Sequence, residues 1–336
     1  MLSAFITGLA GPDLTLEEAA LLRRARPCGI ILFARNALDP AQLSRLTNAA
    51  RDEVGEDILV LIDQEGGRVQ RLKPPHWRAL PAAAAYGRSY AADPAWALQA
   101  ARAAARLTAF DLRKVGINAN CAPLLDVPIP GSHGVIGDRA YAESPQTVAA
   151  LGAAVAEGLA AGGVLPIMKH IPGHGRATAD SHFELPVVTA TLAELDASDL
   201  VPFRRLAALP AAMTAHVVFA ALDADAPASI SRRVTDAVIR GSIGFDGLLM
   251  SDDLAMKALT GSVAERAAAV LAAGSDVVLT CSGDLAESAA VAQVAPPLEG
   301  RARERFERAR AVIGQQQPFQ VAEAEAYLAE MLHHAA

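Results

Sequence analysis

Short apolar runs alternate with longer stretches of helical period from one end of the chain to the other. The runs fall at 4–9, 29–33, 58–62, 117–121, 164–168, 211–215, 247–250 and 276–280. Runs of this length, bounded by Gly, Pro and polar residues, predict buried strands. Between them, 16–25, 40–54, 94–115, 145–161, 192–208, 234–242 and 262–273 carry helix-like patterns. Strand followed by helix, eight times over, predicts an α/β fold, a single (β/α)8 TIM-type barrel. A doubly wound sheet is the rival, but the first run lacks the Gly-x-Gly-x-x-Gly turn of a dinucleotide fold. Residues 281–336 are rich in Ala, Glu and Arg and read as closing helices, so 1–336 is taken as one barrel domain.

In such barrels the chemistry gathers at the carboxyl ends of the strands. Here five of those ends deliver charge or imidazole: Asp63-Gln-Glu-Gly-Gly-Arg-Val-Gln-Arg71, Asp126, Lys169-His170, His216 and Ser251-Asp252-Asp253. One aspartate after a strand is commonly a helix cap; five sites around one mouth are not explained by capping. The richest stretch, residues 169–182, reads Lys-His-Ile-Pro-Gly-His-Gly-Arg-Ala-Thr-Ala-Asp-Ser-His.

Carboxylates at a barrel mouth suit glycoside hydrolysis, which needs one carboxylate at the sugar carbon and a proton donor for the leaving oxygen. Asp252 and Asp253 compete for the first role, because neighbours on a strand point opposite ways. Glu65, Glu184 or a histidine can be the donor. His182 is attractive, since Asp180 two residues earlier shares its side on an extended loop and can hold the imidazole. A histidine titrating near neutrality is well matched to that work. The rival constellation is a metal site of an amidohydrolase, with His170 and His174 completed by Asp63, His182, His216 and Asp252. Pro172 and Gly173 break the helical face that a His-x-x-x-His pair requires.

The chain has 336 residues and a formal net charge of −7. It has no basic run of the kind that neutralises phosphates, which argues against nucleic acid as a partner. The odd trio Cys28, Cys121 and Cys281 lies in or beside apolar runs, which points to a reducing compartment without disulfides. The first residues lack a basic, then apolar, signal pattern, and no apolar stretch is long enough to span a bilayer. The expected setting is therefore cytoplasmic.

Taken together, Ile62-Asp-Gln-Glu-Gly-Gly-Arg-Val-Gln-Arg-Leu72, Lys169-His-Ile-Pro-Gly-His-Gly175, Asp180-Ser-His182 and Met250-Ser-Asp-Asp-Leu-Ala-Met256 resemble glycoside hydrolase family 3. Within it, the Asp-Ser-His triplet is similar to that of the single-domain bacterial β-N-acetylglucosaminidases of cell-wall recycling. The resemblance runs from about residue 4 to about residue 310. It implies a retaining exo-enzyme that takes terminal N-acetylglucosamine from peptidoglycan (muropeptide) fragments. Asp252 would be the nucleophile that forms a covalent glycosyl-aspartate, His182 the acid/base and Asp180 its partner. Asp63, Lys169 and His170 would hold sugar hydroxyls, and Arg71 and Arg139 would line the pocket. It implies no metal and no cofactor, and a monomer is expected.

Ala140, Ile171 and Ala255 depart from the family pattern; the first weakens the Arg139 assignment. Lys169 also reads as an internal partner of Asp63 or Asp126, Arg139 as a loop brace, Glu65 as an arginine's partner, and His216 as a core brace. Segments 127–135 and 173–179 are expected to set the aglycone. Two other functions stay open. A neutral imidazole leaves room for phosphate as acceptor, which would make a phosphorylase. A non-catalytic sugar-binding module would bind product without turnover.

Overall fold

Near-continuous apolar runs form the strands because both of their faces are covered, one by the barrel interior and one by helices. The computed structural model describes residues 1–177, 179–181 and 184–335. Its eight barrel strands are β1 (Ser3–Gly8), β2 (Pro27–Leu32), β3 (Leu59–Ile62), β4 (Ala119–Asn120), β5 (Leu165–Ile171), β6 (Ala211–Thr214), β7 (Leu248–Asp253) and β8 (Val277–Thr280). They are parallel and close in sequential order, with Phe5, Ile6 and Thr7 of β1 beside Val278, Leu279 and Thr280 of β8. This is the (β/α)8 TIM-type barrel that the alternation predicts.

The inward row alternates as the pleat requires. Ile6, Ile31, Leu59, Leu61, Leu165, Ile167, Ala211, Met213, Leu248, Met250, Val277 and Leu279 fill the interior together with Cys121. Their outward neighbours Ile30, Val60 and Ile62, and Met168, Ala212 and Leu249, pack into the clusters under the helices.

The helices start where the sequence supplies caps. Thr15 and Glu18 close a capping box on Leu16–Ala25, and Ser262 and Glu265 do the same on Val263–Ala272. Asp39 and Asp93 each cap a helix that opens with proline, Pro40–Val54 and Pro94–Lys114. A short helix, Ala83–Ala92, precedes the latter and was not predicted. The expected helix 192–208 is two helices, Leu192–Ala197 and Leu200–Arg205, because Ser198 leaves helical geometry. Val234–Ser242 is a π-helix.

Two strands run further than the apolar pattern predicts. Lys169 and His170 lie inside β5, not in a loop after it, and Ser251, Asp252 and Asp253 lie inside β7. Each extension carries a register shift, between Lys169 and Ile171 in one strand and between Met250 and Asp253 in the other. Both shifts fall at the barrel mouth.

Candidate active site

Extending each inward row by two residues names the floor of a cavity. Ile31 leads to Phe33, Leu61 to Asp63, Ile167 to Lys169, Met250 to Asp252 and Leu279 to Cys281. All five line a cavity of about 370 Å³ at the strand ends, with Ile31, Met213 and Leu279 beneath them. Arg68, Arg71, Arg139, His170, His174, Asp180, Ser181 and Asp253 complete its polar wall.

One side of the wall is a buried ion network. Lys169 is 2% exposed, and its Nζ lies 2.7 Å from Asp63 Oδ1 and 2.6 Å from Glu65 Oε1. Arg71 Nη2 donates to Asp63 Oδ2 at 3.1 Å. Arg139 grips Glu65 with both Nε, 2.9 Å, and Nη2, 2.8 Å, the two-pronged geometry that a guanidinium favours. Burial pushes the Asp63 and Glu65 carboxyls up. The cations outweigh it and hold both below the usual range. For Lys169, burial lowers and the two carboxylates raise; the net direction is upward, so the ammonium stays charged.

Asp252 stands across from this network. Its Oδ1 accepts from the Asp253 amide at 2.8 Å, and its Oδ2 lies 3.9 Å from His170 Nε2. Among the described residues, Oδ2 accepts no hydrogen bond. Burial raises the Asp252 carboxyl, but His170 and His216 outweigh it, so it is held as an anion below the ordinary range. Asp253 differs: burial lifts its pKa, and its Oδ1 is taken by the amides of Ala255, 3.0 Å, and Cys281, 2.9 Å. Both aspartates line the cavity, against the expectation that only one would face it. The register shift in β7 breaks the period of two. The two are told apart by charge and free lone pairs: Asp252 is the anion with an open oxygen, and Asp253 is the carboxyl committed to backbone amides.

A family model described as glycosyl hydrolase family 3 N terminal domain matches residues 6–313. The chain belongs to glycosyl hydrolase family 3. It is 42% identical to a beta-hexosaminidase of Bordetella avium (strain 197N) over 83% of this chain and 81% of that protein. A crystal structure of NagZ from Neisseria gonorrhoeae in complex with N-trifluoroacetyl-D-glucosamine superposes with a TM-score of 0.88 at 34% identity, covering 98% of each chain. NagZ of the same organism in complex with zinc ion superposes at 0.87, with 32% identity and the same coverage. This family 3 chain is a glycoside hydrolase.

Of the residues singled out in the sequence, Asp63, Arg71, Arg139, Lys169, His170, Asp180 and Asp252 share the one cavity. His182 lies outside the described residues. Lys169 does not pair with Asp126, as one expectation had it; it takes Asp63 and Glu65, because Asp126 is committed to His170, Nδ1 to Oδ2 at 2.7 Å. Glu65 is saturated by cations, and Glu184 is exposed and off the cavity lining. His216 is fully buried, with Nδ1 on Ser229 Oγ and Nε2 on the Asp253 carbonyl, so it braces the core. His170 and His174 commit Nδ1 and Nε2 to Asp126 and Ser181, and among the described residues no three metal-binding side chains converge. The expected aglycone segments meet: the His133 amide donates to the Ala177 carbonyl at 2.8 Å. Gly175 is required there, since a Cβ would collide with the Val127 carbonyl. Phe33, Cys281 and Ser181 also line the cavity, although charge does not mark them in the sequence. The inward alternation would have found the first two.

Burial and the neighbouring His170 push His174 down to about 4. The unfolded chain binds a proton below about pH 6.5 and the native ring refuses it until about pH 4. Stability is therefore lost as pH falls through that window, by up to ~3 kcal/mol from this group. His216, held down chiefly by burial, has the same sign; Asp253 and Asp199, raised by burial, oppose it. Urea unfolding of the parent and of His174→Gln at pH 7 and pH 4.5 isolates the effect. The difference between them must shift in favour of the variant on acidification; equal losses would refute the assignment.

Proposed function

We propose that this family 3 enzyme is a retaining exo-β-N-acetylglucosaminidase that releases terminal N-acetylglucosamine from peptidoglycan (muropeptide) fragments. The observation that carries the reading is the open Oδ2 of anionic Asp252, lining the same cavity as a buried network of cations and carboxylates. The coarser class, a glycoside hydrolase of the β-hexosaminidase group, follows from the relatives.

In this reading Asp252 Oδ2 attacks the anomeric carbon and forms a glycosyl ester, while protonated His182 gives its proton to the departing oxygen. Neutral His182 then takes a proton from water, whose oxygen attacks the anomeric carbon, breaks its bond to Asp252 Oδ2 and frees the carboxylate. Two inversions leave the β configuration retained. Asp180 orients and charges the imidazole. Asp63, Lys169, Arg71, Arg139 and His170 hold the sugar; Lys169 has three N–H donors and spends two on Asp63 and Glu65. A histidine acid avoids a second anion beside Asp252. The reading takes 1–336 as one catalytic barrel domain with closing helices, working as a cytoplasmic monomer without a cofactor. All three cysteines are unpaired thiols, and among the described residues no helix is long and apolar enough to cross a membrane.

The test compares an aryl β-N-acetylglucosaminide with the matching aryl β-glucoside. The first is expected to be favoured on the order of 10²-fold or more, since a site built to hydrogen-bond an acetamido group leaves polar groups unpaired without it. The first product seen by NMR should be the β anomer. Rates should be unchanged by EDTA and by phosphate. Release of sugar 1-phosphate would replace the hydrolase by a phosphorylase, and activity lost in EDTA and restored by zinc would replace it by a metal enzyme.

A further inference from the structure

Asp126 is fully buried at the end of the segment that follows β4. Its Oδ1 accepts from the backbone amides of His170, 3.2 Å, and His174, 2.7 Å, and its Oδ2 meets His170 Nδ1 at 2.7 Å. One carboxylate thus pins the turn 170–174 at both ends and orients one of its rings. The second ring, His174, stands edge-on to the first with centroids 5.7 Å apart. It is 3% exposed, and its Nε2 lies 3.0 Å from Ser181 Oγ. Ser181 is buried too, and its carbonyl accepts from the Ala258 amide at 3.2 Å.

His174 Nδ1 is buried and has no hydrogen-bond partner among the described residues. That selects the tautomer. Leaving a lone pair unpaired is less costly than orphaning an N–H, so Nε2 carries the proton and donates it to Ser181. The ring is neutral at working pH, as its lowered pKa requires. Ser181 is flanked in the chain by Asp180, which lines the cavity, and by His182. Nothing in the reaction described above uses His174, Ser181 or Asp126.

We propose that His174 is a positioning residue that clasps Ser181 and ties it, with Asp180 before it, to the turn that Asp126 fixes and that sets His170 beside Asp252. The proposal rests on the reading of Asp180 and His182 as the acid/base pair. One buried carboxylate then sets two sides of the cavity at once: His170 beside Asp252, and, through His174, Ser181 next to Asp180.

The experiment uses Ser181→Ala, His174→Leu, His174→Gln and the double variant Ser181→Ala/His174→Leu, with His182→Ala as control. Two quantities are measured: amide exchange of the peptide spanning 177–185, and kcat/KM over aryl N-acetylglucosaminides of rising leaving-group pKa. Ser181→Ala and His174→Leu are expected to speed exchange about 10-fold, the scale of one buried hydrogen bond. Both should lose about 10-fold in rate on basic leaving groups and little on activated ones. The double variant should be no worse than His174→Leu, since both remove the same contact. Glutamine places an amide near the Nε2 position and should recover the parent values to within about threefold. If His174→Leu does not fold, Ser181→Ala carries the test. Unchanged exchange, or losses equal across leaving groups while His182→Ala shows a slope, overturn the clasp and leave the acid assignment standing. A flat His182→Ala profile overturns the acid assignment, and the clasp with it.

Discussion

Asp252→Ala is expected to reduce turnover by on the order of 10⁴-fold or more, as deletion of a covalent nucleophile does, with unfolding free energy near that of the parent. Asp252 makes few internal commitments: one oxygen accepts one amide, and the other is open to the cavity. Its removal is therefore expected to spare the core and to strike the proposed chemistry. A slow fluorinated glycosyl substrate should label the parent stoichiometrically, and peptide mapping should find the sugar on Asp252. A label on Asp253 or Glu65 would sink the assignment. Asp253 is the sharper rival, because it lines the same cavity. Yet its raised pKa and its two amide donors describe a carboxyl employed in holding β7 to β8.

Lys169→Met carries the largest expected effect on stability. The side chain is almost fully buried between two carboxylates, at 2.7 and 2.6 Å. Methionine keeps much of its volume and removes its charge. Asp63 keeps Arg71 and Glu65 keeps Arg139, but the two carboxylates lose the cation between them. Breaking a buried pair in this way costs about 3–5 kcal/mol. The sign of the pH dependence follows. Lys169 helps hold both carboxyls below their usual range; without it they bind protons at higher pH, so the deficit shrinks as pH falls. Denaturant unfolding at pH 7 and pH 5 checks both points. A variant within about 1 kcal/mol of the parent at pH 7 would show that the network is not coupled as its geometry implies.

The barrel was legible because parallel strands buried on both faces leave unbroken apolar runs, and seven of the eight expected segments differ from the strands only at their edges. The run 117–121 contracts to Ala119–Asn120, where Asn118 and Asn120 side chains take over ladder bonds to Val60 and Gln64. The cavity residues were legible where charge marked them. Three things were not. Register shifts are tertiary events, so the alternation could not reveal that Lys169 and His170, or Asp252 and Asp253, enter one cavity together. Partner choice was hidden for the same reason: Asp126 and Glu65 compete for Lys169, and the outcome depends on His170 arriving at Asp126 first in space, not in sequence. Apolar and weakly polar lining residues, Phe33 and Cys281, carry no chemical flag. His174 was noticed only as a metal ligand, although its contact is with Ser181 seven residues on.

The seam between β1 and β8 has a consequence for synthesis. Phe5 pairs with Val278 and Thr7 with Thr280, so the first strand made waits for the last one. A ribosome adding about 5–20 residues per second exposes the edge of β1 for many seconds before its partner exists. Throughout that interval the growing sheet is open, with apolar edges at β1 and at the newest strand. Closure then requires a contact across most of the chain, which is slow by topology. The newborn enzyme is thus at its most vulnerable to misassociation just before residue 280 emerges, and a nascent chain stalled short of β8 has no way to seal itself.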